Sequence, residues 1–277
     1  MKMDNTVFRC GLDYAPCHYG TSRVAFRGPK PALTGGYVAC LGGSETFGRF
    51  LARPFAAQLS DRLGRPCLNL GQINAGLDLY LGDAEVQRLA DGAEAVVLQV
   101  VGAANLSNRY YRVHPRRNDR FLTASPELRA LYPEVDFALI SFVGALIAKL
   151  IETDAERFAL VQAELQAVWS RRMARLIARI AAPVWLLWLS EAPPPERARP
   201  GMAGLCEPAF VTRSMLEALA PGVAGMIEVL EPAAAHDTAG MVFSAAEMPL
   251  ARRSFSLGAH ARSAQALAGA IDMAMAA

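Results

Sequence analysis

Histidine and cysteine are scarce in this chain of 277 residues, which holds four of the first and five of the second. His18, His114, His236 and His260 are scattered without ligand spacing, so a metal centre is not expected. Cys10, Cys17, Cys40, Cys67 and Cys206 are odd in number, and no pair has zinc-ligand spacing with a second pair to match. Cys40 and Cys67 fall inside apolar runs, where a thiol behaves as a small hydrophobe. Such usage points to a reduced, cytoplasmic protein. Charge of one sign is also lacking: 28 basic against 26 acidic residues leave a net charge of +2. No global field marks the chain as a nucleic-acid binder. The longest apolar run, "FALISFVGALIA" (137–148), is closed by Asp136 and Lys149 and is too short to span a bilayer. It reads as a buried helix or a pocket wall. The first residues, "MKMDNTVFRCGLDYAP", carry no apolar stretch of a secretory signal. No repeat and no cofactor motif is evident.

Hydrophobic residues are plentiful, at 53%, and they are ordered. Residues 1–36, with Tyr14, Tyr19, Phe26 and a "FRGPK" turn, read as an N-terminal arm packed on one α/β domain over 37–277. In that domain "GYVACL", "CLNL", "AVVLQVV", "PVWLLWLS" and "GMIEVLE" are short apolar runs of the kind that form buried strands. Between them lie helical patterns. Phe47, Phe50, Leu51, Phe55, Leu59 and Leu63 fit one helical face that Pro54 should kink or split. Residues 160–180 form a long amphipathic helix, and 263–276 a closing helix with Ser263 as its candidate cap. Strands alternating with helices predict a five-stranded parallel sheet covered on both faces. Ligands of such sheets bind beyond the carboxyl ends of the strands, so the residues there are the ones to inspect.

After the first run comes Gly42-Gly43-Ser44. Ser44 can cap the following helix, complete an anion cradle of backbone N–H groups, or act as a nucleophile. After the second run, Gly71 and Gly76 would let a bare N–H approach a ligand. After the third, Asn105 and Asn108 are turn formers or amide donors to an oxyanion. His260 stands just before the closing helix. The run "NRYYRVHPRRNDRF" (108–121) supplies Arg109, Arg112, Arg116, Arg117 and Arg120. It is either a solvated basic loop or a clamp for an anionic group, which guanidinium forks suit. His114 within it is a spare base.

Serine, glycine, asparagine and histidine in this order resemble the SGNH (GDSL-type) hydrolases. "CLGGSETFG" resembles their first block, "LNLGQINAG" the second, "VVGAANLSN" the third and "GAHARSAQALAGAI" the tail of the fifth. The resemblance covers roughly 37–111 and 255–276. It implies a flavodoxin-like three-layer fold and an ester hydrolase or acyltransferase. Ser44 would be the nucleophile and His260 its base, with N–H groups of Ser44 and Gly76 and the Asn105 amide as the oxyanion hole. Gly71 and Asn108 are the fallbacks. Arg109, Arg116 and Arg117 would meet an anionic substituent on a small-molecule or saccharide substrate. "YGTSRVAFRGP", "GGSETFG" and "LSNRYYRVHPRRNDRF" also resemble a bacterial family described only as hypothetical proteins, which brings no activity with it.

Three departures matter. Gly43 stands where the first block has aspartate, and Asn105 follows Gly102 one residue late with no aspartate behind it. Leu257 stands where the fifth block has the acid that orients the histidine. A bare dyad, an acid from elsewhere (Glu247 first, then Asp237) or lost hydrolysis would each answer the last. A binding protein for an anionic saccharide or metabolite, and a phosphoryl or sulfuryl transferase, are the rival readings.

Overall fold

The computed structural model describes residues 11–198 and 207–276. Cys10, Cys206 and the end of the Pro- and Arg-rich loop after Ser190 lie outside them. Seven strands occur among the described residues: β1 (Val38–Leu41), β2 (Cys67–Asn69), β3 (Ala95–Gln99), β4 (Tyr111–His114), β5 (Arg117–Ala124), β6 (Val184–Ser190) and β7 (Gly225–Leu230). The helices are α1 (Ser44–Phe47), α2 (Phe55–Leu63), α3 (Leu77–Gly82), α4 (Ala84–Asp91), α5 (Pro126–Leu131), α6 (Val143–Thr153), α7 (Ala155–Arg179), α8 (Arg213–Glu217), α9 (Met248–Ala251) and α10 (Leu257–Ala276). The five apolar runs become one parallel sheet in the order β2-β1-β3-β6-β7. This is the flavodoxin-like order, with its switch point between β1 and β3.

Side-chain alternation sorts the sheet's two faces. Val38 and Cys40 of β1, Ala95 and Val97 of β3 and Leu187 and Leu189 of β6 pack with Phe55, Leu59, Leu267 and Ile271 of α2 and α10. Ala39, Leu41, Val96, Leu98 and Leu186 point the other way, into a larger core with α3, α4 and α7. Each strand is thus apolar on both faces, which is why it reads as a continuous run.

Pro54 splits its helix as expected. α1 ends at Gly48 in the left-handed region (φ 71°) and Pro54 is the N-cap of α2. The closing helix needs correction, since α10 begins six residues before Ser263. Ser256 and the buried Glu231 secure its start: Ser256 N–H and Oγ–H donate to the two Glu231 carboxylate oxygens at 2.7 and 2.5 Å. Ser263 is interior, and its hydroxyl donates to the Ala259 carbonyl one turn back at 2.9 Å. Burial of Leu267 and Ile271, each worth roughly 1.5–3 kcal/mol, therefore holds this helix in place rather than a cap at 263.

Two further expectations change. The arginine run is not a loop but the antiparallel hairpin β4–β5. Of the apolar run 137–148, Phe137 is buried, and from Val143 onward α6 turns Val143, Leu146 and Ile147 inward, with Leu150 just beyond the run. Between Phe137 and Val143, Leu139 is 83% and Phe142 44% exposed. No helix among the described residues is long and apolar enough to cross a membrane. In the segment before β1, Tyr14, Tyr19 and Phe26 are buried. The Arg27 guanidinium donates to the carbonyls of Phe47, Gly48, Leu51 and Ala52 at 2.5–3.0 Å, holding the turn between α1 and α2.

Candidate functional site

The turn from β1 into α1 is built around one buried amide. Gln99, the last residue of β3, accepts at Oε1 from Gly43 N–H (3.0 Å), Thr46 N–H (3.0 Å) and the Thr46 hydroxyl (2.7 Å). Tyr80 of α3 clamps the same turn. Its hydroxyl accepts from Gly42 N–H at 3.0 Å and donates to the Gly42 carbonyl. A Cβ at Gly42 would lie 2.2 Å from Thr46 Oγ1 and 2.5 Å from Gln99 Cβ, so only glycine fits there.

Ser44 is not a helix cap. Gly43 holds that position, and it is the Gln99 side-chain oxygen that takes the Thr46 N–H in the first turn of α1. The Ser44 hydroxyl turns instead to the loop after β2, accepting from Asn74 N–H at 3.0 Å and donating to Asn74 Oδ1 at 3.3 Å. Asn74 has φ 55°, a left-handed conformation that asparagine tolerates. Two neighbours fix it: Asn105 Nδ2 donates to its carbonyl at 3.2 Å, and its own Nδ2 donates to Asp119 Oδ2 of β5 at 3.4 Å. The loops after β1, β2 and β3 and the hairpin therefore meet at Asn74, the hydrogen-bond partner of Ser44. Among the described residues the N–H groups of Ser44 and Glu45 donate to no protein acceptor.

Several expected roles are corrected by these partners. Gly76 N–H is spent on Asn118 Oδ1 at 2.7 Å, and Gly71 N–H on Asn69 Oδ1 at 3.0 Å, so neither is free for an oxyanion. Gly76 is glycine because a Cβ would fall 1.9 Å from the Asn105 carbonyl oxygen. Asn108 is a turn former. Its Oδ1 accepts from the N–H groups of Tyr110 and Tyr111 at 2.8 and 3.2 Å, and its Nδ2 donates to the Leu106 carbonyl. His114 closes the hairpin turn, its Nδ1 accepting from the N–H groups of Arg116 and Arg117. Arg116 and Arg117 are exposed there, whereas Arg109 lies over the Tyr110 ring.

His260 sits in the first turn of α10, at the same edge of the sheet, and is 1% exposed. Its Nδ1 accepts from Phe55 N–H at 3.0 Å and its ring stacks on that of Phe55. A neutral imidazole whose Nδ1 accepts carries its proton on Nε2. Nε2 lies 3.7 Å from Glu45 Oε2. Among the described residues no hydrogen bond joins His260 to Ser44. Neither expected acid reaches it. Glu247 is bound to Arg49 at 3.1 Å and to the Ser244 N–H and hydroxyl at 3.1 and 2.8 Å. Those bonds, the Ser244 N–H first, hold the Glu247 carboxyl below its ordinary range. Asp237 accepts from Ala239 N–H in an exposed loop. The carboxylate that does face His260 belongs to Glu45, the residue after Ser44. In sequence Glu45 is an ordinary first-turn acid, of the kind the helix dipole favours. A second carboxyl nearby is that of Glu207. It accepts from the N–H groups of Ala209 and Gly102, and desolvation, with Glu45 close by, raises its pKa.

A family model described as a domain of unknown function (DUF6473) matches residues 1–275. The chain belongs to that family. Comparison with curated proteins finds no match. Among solved structures the chain is similar to the lipase Lip_vut3 from a goat rumen metagenome, with 12% identity, a TM-score of 0.40, and coverage of 85% of this chain and 97% of that one. It is also similar to a catalytic mutant of the acetylxylan esterase Axe2 from Geobacillus stearothermophilus, with 11% identity, a TM-score of 0.39, and coverage of 86% and 94%. Likeness at this level says nothing of chemistry.

Proposed function

We propose that the protein is an ester hydrolase or acyl-group transferase in which Ser44 is the nucleophile and Glu45, rather than His260, is the base. The supporting observation is the direction of the Ser44 side chain. It caps nothing, and its hydroxyl faces the loops at the carboxyl edge of the sheet, one residue from a carboxylate backed by a buried imidazole. Ser44 Oγ attacks an acyl carbonyl, and its proton passes through one water to Glu45, since adjacent helical side chains do not face each other. The carbonyl oxygen takes the negative charge and meets Ser44 N–H and the second hydrogen of the Asn105 amide. Collapse expels the alcohol, which recovers the proton from Glu45, and water or an acceptor alcohol then releases the acyl group by the same route. His260 positions Glu45 through its Nε2–H. Arg116 and Arg117, on the hairpin whose Asp119 meets Asn74, are assigned to an anionic group of the substrate.

One observation favours a second reading, a non-catalytic binder of an anionic metabolite. Both loop glycines have lost their N–H groups to side chains, which leaves a thin oxyanion hole. A fluorophosphonate probe separates the two. We expect labelling of the wild type at Ser44 and none of Ser44→Ala, together with hydrolysis of p-nitrophenyl acetate by the wild type only. A folded wild type that takes no label sinks the enzyme and leaves the binder.

A further inference from the structure

The arginines expected over one cleft divide between two places. Arg109 and Arg112 face α7, whose last turns carry Arg171, Arg172 and Arg175. Two adjoining clefts share Arg172, Arg175 and Ser107. One is bordered by Arg109 and Arg171, the other by Arg112. Together they hold five guanidinium groups against two carboxylates, Asp78 and Glu164, an excess of three positive charges on a chain whose total is +2. None of Ser44, Asn74, Asn105 or His260 lines either cleft.

Two of the five groups are fixed in place. Arg172 is paired with Asp78, which is itself held by Ser107 N–H at 2.9 Å. Arg109 lies 4.8 Å over the Tyr110 ring and donates to its hydroxyl at 2.7 Å. Arg112, Arg171 and Arg175 are exposed, and among the described residues no carboxylate pairs with them. Arg171 and Arg175 are one helical turn apart, a spacing at which like charges repel. The fold keeps that repulsion where an anion would relieve it. Tyr110 and Tyr111 are buried, so no aromatic face is offered for stacking a base. Planar forks at several angles suit tetrahedral oxyanions bidentately.

We propose that the face between the hairpin and α7 is a binding groove for a soluble ligand bearing two or more phosphate or sulfate groups. This goes beyond the ester chemistry at Ser44 and uses none of its residues. Titration calorimetry with inorganic tripolyphosphate at about 0.1 M salt, where long-range attraction is screened, should show saturable binding tighter than that of orthophosphate. R171A/R175A should weaken it at least tenfold while the near-UV circular dichroism stays that of the wild type. If that double variant is poorly folded, R112A, on the hairpin rather than the helix, should weaken it at least threefold. Absence of saturable binding overturns the proposal, as does binding that all these variants retain, which would mark an adventitious ion only. Sedimentation with phosphatidylserine vesicles, or binding of oligothymidylate, in protein that ignores tripolyphosphate would overturn it in favour of a membrane surface or a nucleic acid.

Discussion

Glutamine and asparagine at position 260 separate the two nitrogens of the imidazole. The amide nitrogen of glutamine reaches about where Nε2 stands, and the amide oxygen of asparagine about where Nδ1 stands. His260→Gln therefore keeps a donor toward Glu45 but leaves the buried Phe55 N–H without its 3.0 Å acceptor, an omission that costs about 1–3 kcal/mol. His260→Asn keeps that acceptor and loses the donor. The Glu45 contact at 3.7 Å is longer than a hydrogen bond, so its loss hardly touches stability. Asparagine does leave a void of roughly 40 Å³, which at about 24 cal/mol per Å³ amounts to about 1 kcal/mol.

Stability and activity should then run in opposite orders. In urea denaturation the glutamine variant should be the weaker of the two. In turnover of an activated ester it should keep most of the wild-type kcat. The asparagine variant should lose roughly 10- to 100-fold in kcat, the penalty of a misplaced catalytic group. Glu45→Gln should abolish turnover in either background. If His260 were itself the base, glutamine and asparagine would reduce activity to one common background, because neither amide takes up a proton. That result would refute the assignment of Glu45.

The strands and their order along the chain were legible because a parallel strand covered on both faces is an unbroken apolar run, as in "YVACL" and "PVWLLWLS". Pro54 was legible for a local reason, its fixed φ and missing N–H. The hairpin β4–β5 was hidden by its charges. Tyr111, Arg112 and Val113 do alternate buried, exposed, buried, yet five arginines in a short run outweigh a three-residue alternation. The start of α10 was hidden because its cap is tertiary: Glu231, from the end of β7, takes the Ser256 N–H. At the site the sequence marked Ser44, Asn105 and His260 but not what each would touch. Gln99 read as one more strand residue, although its side-chain oxygen Oε1 organises the turn around Ser44. The partners of His260 come from two other elements: α2, beside α10, brings Phe55 to the ring, and α1 brings Glu45. No spacing rule along the chain encodes that. Glu247 is near His260 along the chain, yet the fold spends that residue on Arg49.

Three perturbations test this assembly. Gln99→Leu strands two N–H groups and a hydroxyl and should cost about 2–4 kcal/mol in chemical denaturation, with the first turn of α1 reaching water for part of the loss; a stability within 0.5 kcal/mol of wild type, a bound taken from ordinary surface substitutions, would count against the turn's dependence on it. Glu247→Gln should leave ester turnover intact and lower the melting temperature at pH 7. Because its carboxyl is depressed in the folded state, Glu247 contributes stability above the unfolded value of about 4.3 that is lost as pH falls through the lower folded value. The variant and wild-type melting curves should therefore converge in acid, and a turnover loss matching that of His260→Asn would restore Glu247 to the site. Gly76→Ala is the sharpest of the three. At Gly76 φ is −114° and ψ 179°, which any residue adopts, so strain in the dihedrals is not the issue. The new methyl would instead meet the Asn105 carbonyl oxygen at 1.9 Å, a backbone atom with no flexible end to yield. The loops after β2 and β3 must part, at a cost of about 1–3 kcal/mol for overpacking. Parting them also loosens Asn105 from Asn74 and Asn74 from Ser44. Fluorophosphonate labelling should therefore fall at a temperature where the variant is still fully folded, and labelling at the wild-type rate would show that Ser44 does not depend on that junction.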